Sequence, residues 1–329
     1  MKRRQLGQTD LKVGVVGIGC MTFGWRADAK EVEAIISAAL DIGSNLFDTS
    51  VSYGRGASET LLGDAVHKLG RRNELLIATK FGQAGTPNAK SDEIGNSRRV
   101  LLAHCELSLR RLRTDRIDLL QIHNFDADVP LEETLRGLDQ LVRDGKVRQI
   151  GCSNFNGAQL AEAVGITELL NLCPLASVQS RFNLLDRRAE CEVMNIAVRH
   201  GIGNLAYSPL SEGFLTGKYQ AGQSFPVGSR FAVASPTNKY DSRLTSHVVQ
   251  TIKRLEEAGA AHSLSLWQLA LAWVLNVDAV SCVLVGPSTS RQVADVKSVL
   301  GVHLGQEMME LLSRITPAGT TAFVEPALE

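Results

Sequence analysis

Short apolar runs alternate with longer stretches of helical period along this chain. The runs are residues 13–18, 45–48, 75–80, 117–123, 147–152, 176–179, 202–206 and 281–285. Each has the length of a strand. Between them lie amphipathic stretches. Leu131, Leu135, Leu138 and Val142 fall at i, i+4, i+7 and i+11, and Gly145 follows as a helix-ending residue. Leu101, Cys105, Leu109 and Leu112 keep a helical period too.

Strand–helix alternation predicts a parallel sheet covered by helices. Eight such units are what a single closed (β/α)8 TIM barrel requires. The rival is an open doubly wound sheet, which places a G-x-G-x-x-G turn after its first strand. Here the first run leads into Gly17-Ile18-Gly19-Cys20-Met21-Thr22. The third glycine position is Thr22 and the next helix starts late, so this stretch reads as a loop at the barrel rim. Two features interrupt the alternation. Residues 218–241, after the seventh strand, are rich in Gly, Pro, Ser and Tyr and too long for an ordinary connection. Residues 244–258 then read as an extra helix, and the tail, 301–329, carries one helical patch at 306–314. The expected organisation is one barrel domain over 1–329, with the long rim loop free to cover a ligand.

Composition narrows the function. The 329 residues are 44% hydrophobic and 21% charged, with 35 Lys+Arg against 35 Asp+Glu. Zero net charge argues against a nucleic-acid partner, and the apolar content argues against disorder. The six cysteines, Cys20, Cys105, Cys152, Cys173, Cys191 and Cys282, form no C-x-x-C pair and have no zinc-finger histidine. They read as small core residues of a reducing compartment, with no metal site. No apolar run reaches ~18 residues, and no apolar h-region follows the basic start. A cytoplasmic protein without a membrane partner is expected. The oligomeric state is not readable.

Functional residues of a parallel barrel sit at the carboxyl ends of its strands. The second run ends in Asp48, with Tyr53 shortly after; the third ends in Lys80; the fourth ends in His123. Singly, Asp48 could cap a helix, Lys80 could be a rim charge, and His123 could bond backbone. Together they end adjacent strands, and Lys80 and His123 follow strongly apolar segments where a polar group is costly unless paired or at the mouth. They are expected to converge.

The motifs Leu46-Phe47-Asp48-Thr49-Ser50-Val51-Ser52-Tyr53-Gly54, Thr79-Lys80, Ile117-Asp118-Leu119-Leu120-Gln121-Ile122-His123, Ile150-Gly151-Cys152-Ser153-Asn154-Phe155, Tyr207-Ser208-Pro209-Leu210 and Leu215-Thr216-Gly217-Lys218-Tyr219 occur in this order. They resemble the aldo-keto reductase superfamily from about Leu6 to Val302. The last resembles the branch of aryl-alcohol dehydrogenases and potassium channel β subunits. The resemblance implies reversible hydride transfer between a nicotinamide cofactor and an aldehyde or ketone. Tyr53 would be the general acid, Lys80 would lower its pKa, Asp48 would support Lys80, and His123 would orient the carbonyl.

The resemblance also implies a cofactor laid along the rim. Ser153, Asn154 and Gln179 would bond the carboxamide, and Tyr207 would stack on the nicotinamide. Gly19, Cys20, Met21 and Asp48 would lie beside it. Ser208, Pro209, Leu210 and Gly213 would line the pyrophosphate. Gly286, Ser288, Gln292 and Asp295 would hold the adenine end, where Val296 replaces the usual Asn and removes one hydrogen bond. Lys218 and Arg230 would contact a 2′-phosphate, favouring NADPH, with NADH use possible. Arg291 either adds to this or points to solvent. Met21, Phe23, Trp25, Tyr53, Phe81, His123, Asn124 and the loop near Phe231 would form the substrate pocket. Aryl aldehydes, keto-sugars and polycyclic ketones stay open as substrates. Two alternatives remain: a cofactor-sensing regulatory subunit without turnover, and a sugar or alcohol dehydrogenase working oxidatively.

Overall fold

The computed structural model describes residues 1–220, 222–234 and 241–323. Ten strands form two sheets. β1 (Arg3–Gln5) and β2 (Lys12–Gly14) pair as an antiparallel hairpin. β3 (Val16–Gly19), β4 (Leu46–Asp48), β5 (Leu76–Phe81), β6 (Ile117–Ile122), β7 (Val147–Ser153), β8 (Leu175–Arg181), β9 (Gly203–Tyr207) and β10 (Val280–Val285) close a barrel. The expected eight-stranded (β/α)8 TIM barrel is thus present. The first apolar run is two strands and not one. Val13 belongs to the hairpin, and the barrel strand starts at Val16.

The barrel interior is layered by the two-residue strand period. Leu46, Ala78, Leu119, Leu205, Cys282 and Leu284 form one buried apolar cluster, joined by Leu6, Leu11 and Val13 of the hairpin segment. Two residues further along three of these strands stand Asp48, Lys80 and Gln121. The strand face that fills the core therefore carries polar groups at its carboxyl end.

The helices follow their apolar stripes. Residues Leu131–Arg143 form a helix that buries Leu131, Leu135, Leu138 and Leu141, and Arg98–Leu112 form one that buries Leu101, Cys105, Leu109 and Leu112. Gly17 and Gly19 lie within β3, a single 3-10 turn at Cys20–Thr22 follows, and the first α-helix begins only at Ala29, unlike the glycine turn into a helix of a doubly wound sheet. The extra helix spans Ser246–Ala260, and the helix of the tail spans Gln306–Ile315. The loop 218–241 contains a short helix, Arg230–Ala234; its residues 221 and 235–240, like 324–329 of the tail, lie outside the described residues.

Two compact units emerge. The first comprises Met1–Ser180, Val193–Tyr207 and Ala279–Lys297, and holds the barrel. The second comprises Arg181–Glu192, Ser208–Asp278 and Ser298–Glu329. Within the second, Phe182 packs against Trp273 with centroids 4.9 Å apart and the rings tilted by 37°, and Phe231 packs against Phe214, Tyr219 and Phe225. Among the described residues no helix is long and apolar enough to cross a membrane.

Candidate active site

Four side chains from neighbouring strand ends meet in the first unit. Lys80 Nζ lies 2.5 Å from Asp48 Oδ2 and donates to Tyr53 Oη at 3.2 Å and to the Thr49 carbonyl at 3.0 Å. The Tyr53 and His123 rings meet edge to face at 5.8 Å. Strand register brings them close: Asp48 pairs with Ala78, Lys80 stands two residues further along the same face of that strand, and Lys80 pairs with Gln121.

Asp48 is ligated at both oxygens. Its Oδ1 accepts from Gln121 Nε2 at 3.0 Å and from Gln179 Nε2 at 2.8 Å, while Oδ2 takes Lys80. Gly151 leaves the room this needs: a Cβ there would sit 3.4 Å from Gln121 Cγ and 2.5 Å from Ser177 Oγ. Burial disfavours the Lys80 ammonium, but Asp48 and Tyr53 outweigh it and hold its pKa above the ordinary lysine value. Burial, with Lys80 next, pushes His123 down to about 3, so its imidazole is neutral at physiological pH.

Lys80 acts downward on the Tyr53 phenol, the sense expected of it, while desolvation acts upward and is the larger cause, so Tyr53 stands above the ordinary tyrosine value.

The loop carrying Tyr53 is braced from outside the barrel. Glu59, fully buried, accepts from Thr79 Oγ1 at 2.7 Å and pairs with Arg111 at 3.2 Å. Arg111 also donates to the carbonyls of Val51 and Gly85. Thr49 Oγ1 meets Ser58 Oγ at 2.8 Å, and Ser58 Oγ donates to the Cys20 carbonyl.

The aldo/keto reductase family profile matches residues 15–316. The chain belongs to that family. Over 299 residues, 90% of each chain, it is 34% identical to an Arabidopsis thaliana protein named probable voltage-gated potassium channel subunit beta. Over 327 residues, 96% of each chain, it is 34% identical to a Bacillus subtilis protein named uncharacterized oxidoreductase YrpG.

Within this aldo/keto reductase, the residues expected to hold a cofactor are placed unevenly. Ser153 Oγ donates to the Gln179 carbonyl at 3.1 Å. Asn154 Nδ2 donates to the His123 carbonyl and to Asn124 Oδ1, and its Oδ1 accepts from Tyr207 Oη at 2.8 Å. Ser153, Asn154, Gln179 and Tyr207 thus cluster beside the four central side chains. Gly19 and Gly286 face each other at adjacent strand ends, where a Cβ on Gly19 would lie 3.4 Å from the Val285 carbonyl oxygen. Ser288 bonds Gln292 Oε1 through both its N–H and its hydroxyl, Arg291 and Asp295 are exposed, and Val296 is buried. Cys20 is fully buried with its thiol pKa pushed up, and Met21 is half-buried.

The second unit carries the remainder. Ser208 has a positive φ of 57°, and Pro209, Leu210 and Gly213 follow in sequence. The exposed Lys218 sets its Nζ 5.1 Å over the Tyr219 ring. Glu212 pairs with Arg181 at 2.7 Å and Arg243 at 3.3 Å. Burial works against that carboxylate, but Arg181, Arg230 and Arg243 together hold its pKa below the usual range.

Of the residues expected to line a substrate pocket, Phe23, Phe81 and Phe231 have fully buried side chains, and Phe231 belongs to the aromatic cluster of the second unit. Trp25 and Asn124 are exposed, and Tyr53 is half-buried. Sequence reading gave no role to Gln121, Ser50, Glu59 or Arg111. Gln121 alone left a signal: a polar residue two positions before His123 in an apolar strand.

Proposed function

We propose that the chain is a nicotinamide-dependent oxidoreductase that reduces an aldehyde or ketone to an alcohol, reversibly, with NADPH preferred. The observation that carries this is Lys80 Nζ bridging Asp48 and the Tyr53 hydroxyl, with a neutral imidazole beside the phenol. Carbonyl reduction puts negative charge on oxygen and needs a proton there. Tyr53 keeps its proton through neutral pH, as a general acid must. Lys80, kept charged by Asp48, stabilises the phenolate left when that proton leaves. His123 donates a hydrogen bond to the carbonyl oxygen and orients it.

The donor set suits a nicotinamide. Side-chain amides, a hydroxyl and a phenol from Ser153, Asn154, Gln179 and Tyr207 are the groups that would hold a carboxamide and its ring, and the facing Gly19 and Gly286 leave backbone open to a flat molecule. A bound nicotinamide supplies the hydride. Lys218 and Arg230 are the cations that would contact a 2′-phosphate.

The test is NADPH oxidation with wild-type protein over aryl aldehydes, keto-sugars and polycyclic ketones, repeated with NADH. Turnover that disappears in Tyr53→Phe supports the reading. Tight NADPH binding with no turnover on any carbonyl or alcohol refutes it and favours a regulatory subunit, the class that the Arabidopsis relative's name suggests.

A further inference from the structure

His123 is held from behind by a serine. Ser50 Oγ, fully buried, lies 3.1 Å from His123 Nδ1. The same oxygen accepts from the Ser52 N–H at 3.3 Å and lies 3.0 Å from Ser52 Oγ. Ser52 Oγ donates to Gln83 Oε1 at 3.0 Å. A row of hydrogen-bonding groups therefore runs from Gln83 through Ser52 and Ser50 to the imidazole.

A neutral imidazole has one N–H, so its two nitrogens take opposite roles. The row can run in two directions. If protons point towards the ring, Ser50 donates to Nδ1 and the ring proton sits on Nε2. If they point away, Nδ1 donates to Ser50 and Nε2 is bare. The Gln83 amide fits either direction by turning end for end. The Ser50 oxygen already accepts from the Ser52 backbone, and the Lys80 carbonyl is distant at 3.5 Å and already accepts from Val51 N–H, so the Ser50 proton has two near acceptors, Nδ1 and Ser52 Oγ. The chemistry decides between them: carbonyl reduction, the reading on which this step rests, needs a donor and not a bare nitrogen facing the substrate oxygen.

We propose that Ser50 is a positioning residue for His123: its hydroxyl donates to Nδ1 and so fixes the ring proton on Nε2, the nitrogen left to hydrogen-bond the substrate carbonyl oxygen. Of the groups around His123, Lys80 is engaged with Asp48, Thr49 and Tyr53, and Ser50 is the one that meets Nδ1. Serine at this place thus selects a tautomer, a role distinct from filling space.

The experiment is nitrogen-15 NMR of the full chain with labelled histidine, the His123 signals being assigned by their loss in His123→Asn. Wild-type protein is expected to show a protonated Nε2 and a bare Nδ1. Ser50→Ala is expected to show a mixture of tautomers, and Ser52→Ala, which keeps the Ser50 donor, the wild-type pattern. In carbonyl reduction Ser50→Ala is expected to lower kcat by about 2- to 10-fold, the worth of one neutral hydrogen bond. A wild-type ring protonated on Nδ1, or a Ser50→Ala ring identical to wild type, overturns the proposal. If Ser50→Ala does not fold, a Ser52→Ala ring that has changed tautomer overturns it instead. The NMR readout needs no turnover. A chain that reduces no carbonyl yet shows the Ser50-dependent tautomer loses the reductase reading and keeps the Ser50 assignment.

Discussion

Gln121 donates its amide to Asp48 Oδ1 at 3.0 Å, so the carboxylate that anchors Lys80 is itself anchored by the strand next but one. Gln179 adds a second amide to the same oxygen. Hydrogen bonds to a charged acceptor are worth about 1.5–3 kcal/mol. Gln121→Leu keeps the volume and removes the donor. It is expected to lower unfolding free energy by about that amount and kcat by about 10-fold, while NADPH affinity changes little. Denaturant melts and steady-state kinetics check both. Wild-type kcat would show that Asp48 needs no help from Gln121.

Lys80 and Asp48 are a buried pair, and removing one member strands the other. Lys80→Met leaves the Asp48 carboxylate with amides but no cation, and is expected to cost about 3–5 kcal/mol. Lys80→Met combined with Asp48→Asn removes both charges, and should recover most of that stability while staying inactive. Melts of the two variants separate the structural cost from the chemical one. Equal stability of single and double variants would show that the pair is not coupled.

The parts of the molecule that could be read beforehand share a cause. Asp48, Lys80 and His123 each end an apolar strand, and a polar residue in that position must be paired or functional, so the pattern itself marks them. The hairpin of β1 and β2 left no such mark, because three-residue strands have no measurable period. Gln121 and Ser50 stood in plain view within recognised motifs, but their partners are set by barrel register and by a turn. Nothing local says that Gln121 reaches Asp48, or that Ser50 reaches His123. The aromatic positions are less legible for a related reason: Phe23 and Phe81 lie near the rim in sequence, but how deeply a ring is buried depends on tertiary packing, and both are fully buried.

On the proposed function, a preference for NADPH would rest on Lys218 and Arg230. Lys218 is exposed, so replacing it costs little stability. Lys218→Met is expected to raise KM for NADPH by about 5- to 10-fold, the scale of a charge-assisted hydrogen bond, and to leave KM for NADH within about 2-fold. Arg230→Met should act the same way, with an added effect from Glu212, whose carboxylate it helps to hold charged. Parallel changes with both cofactors would remove these residues from the 2′-phosphate.

The low pKa of His123 has a consequence for acid stability that can be signed. In the unfolded chain the imidazole takes a proton as pH falls through about 6.5; in the folded chain it resists until about 3. Between those values the unfolded state binds more protons, so stability contributed by the neutral ring is complete above pH 6.5 and declines as pH drops towards 3. Each unit of that gap corresponds to about 1.4 kcal/mol, so roughly 2 kcal/mol is expected to be lost by pH 5. Glu59, whose carboxyl is raised by burial, works in the opposite direction above the ordinary carboxylate pKa, inside the same window, which is why the comparison must be with a variant and not with the absolute curve. His123→Asn has no group to titrate. The difference in unfolding free energy between it and wild type should therefore shrink steadily from pH 7 to pH 4. Turnover should behave differently: because the imidazole is neutral and the phenol protonated through this range, kcat for carbonyl reduction is expected to stay flat from pH 5 to 9. A single inflection near pH 6.5 would mean that His123 titrates normally, and the desolvated neutral ring would fall with it.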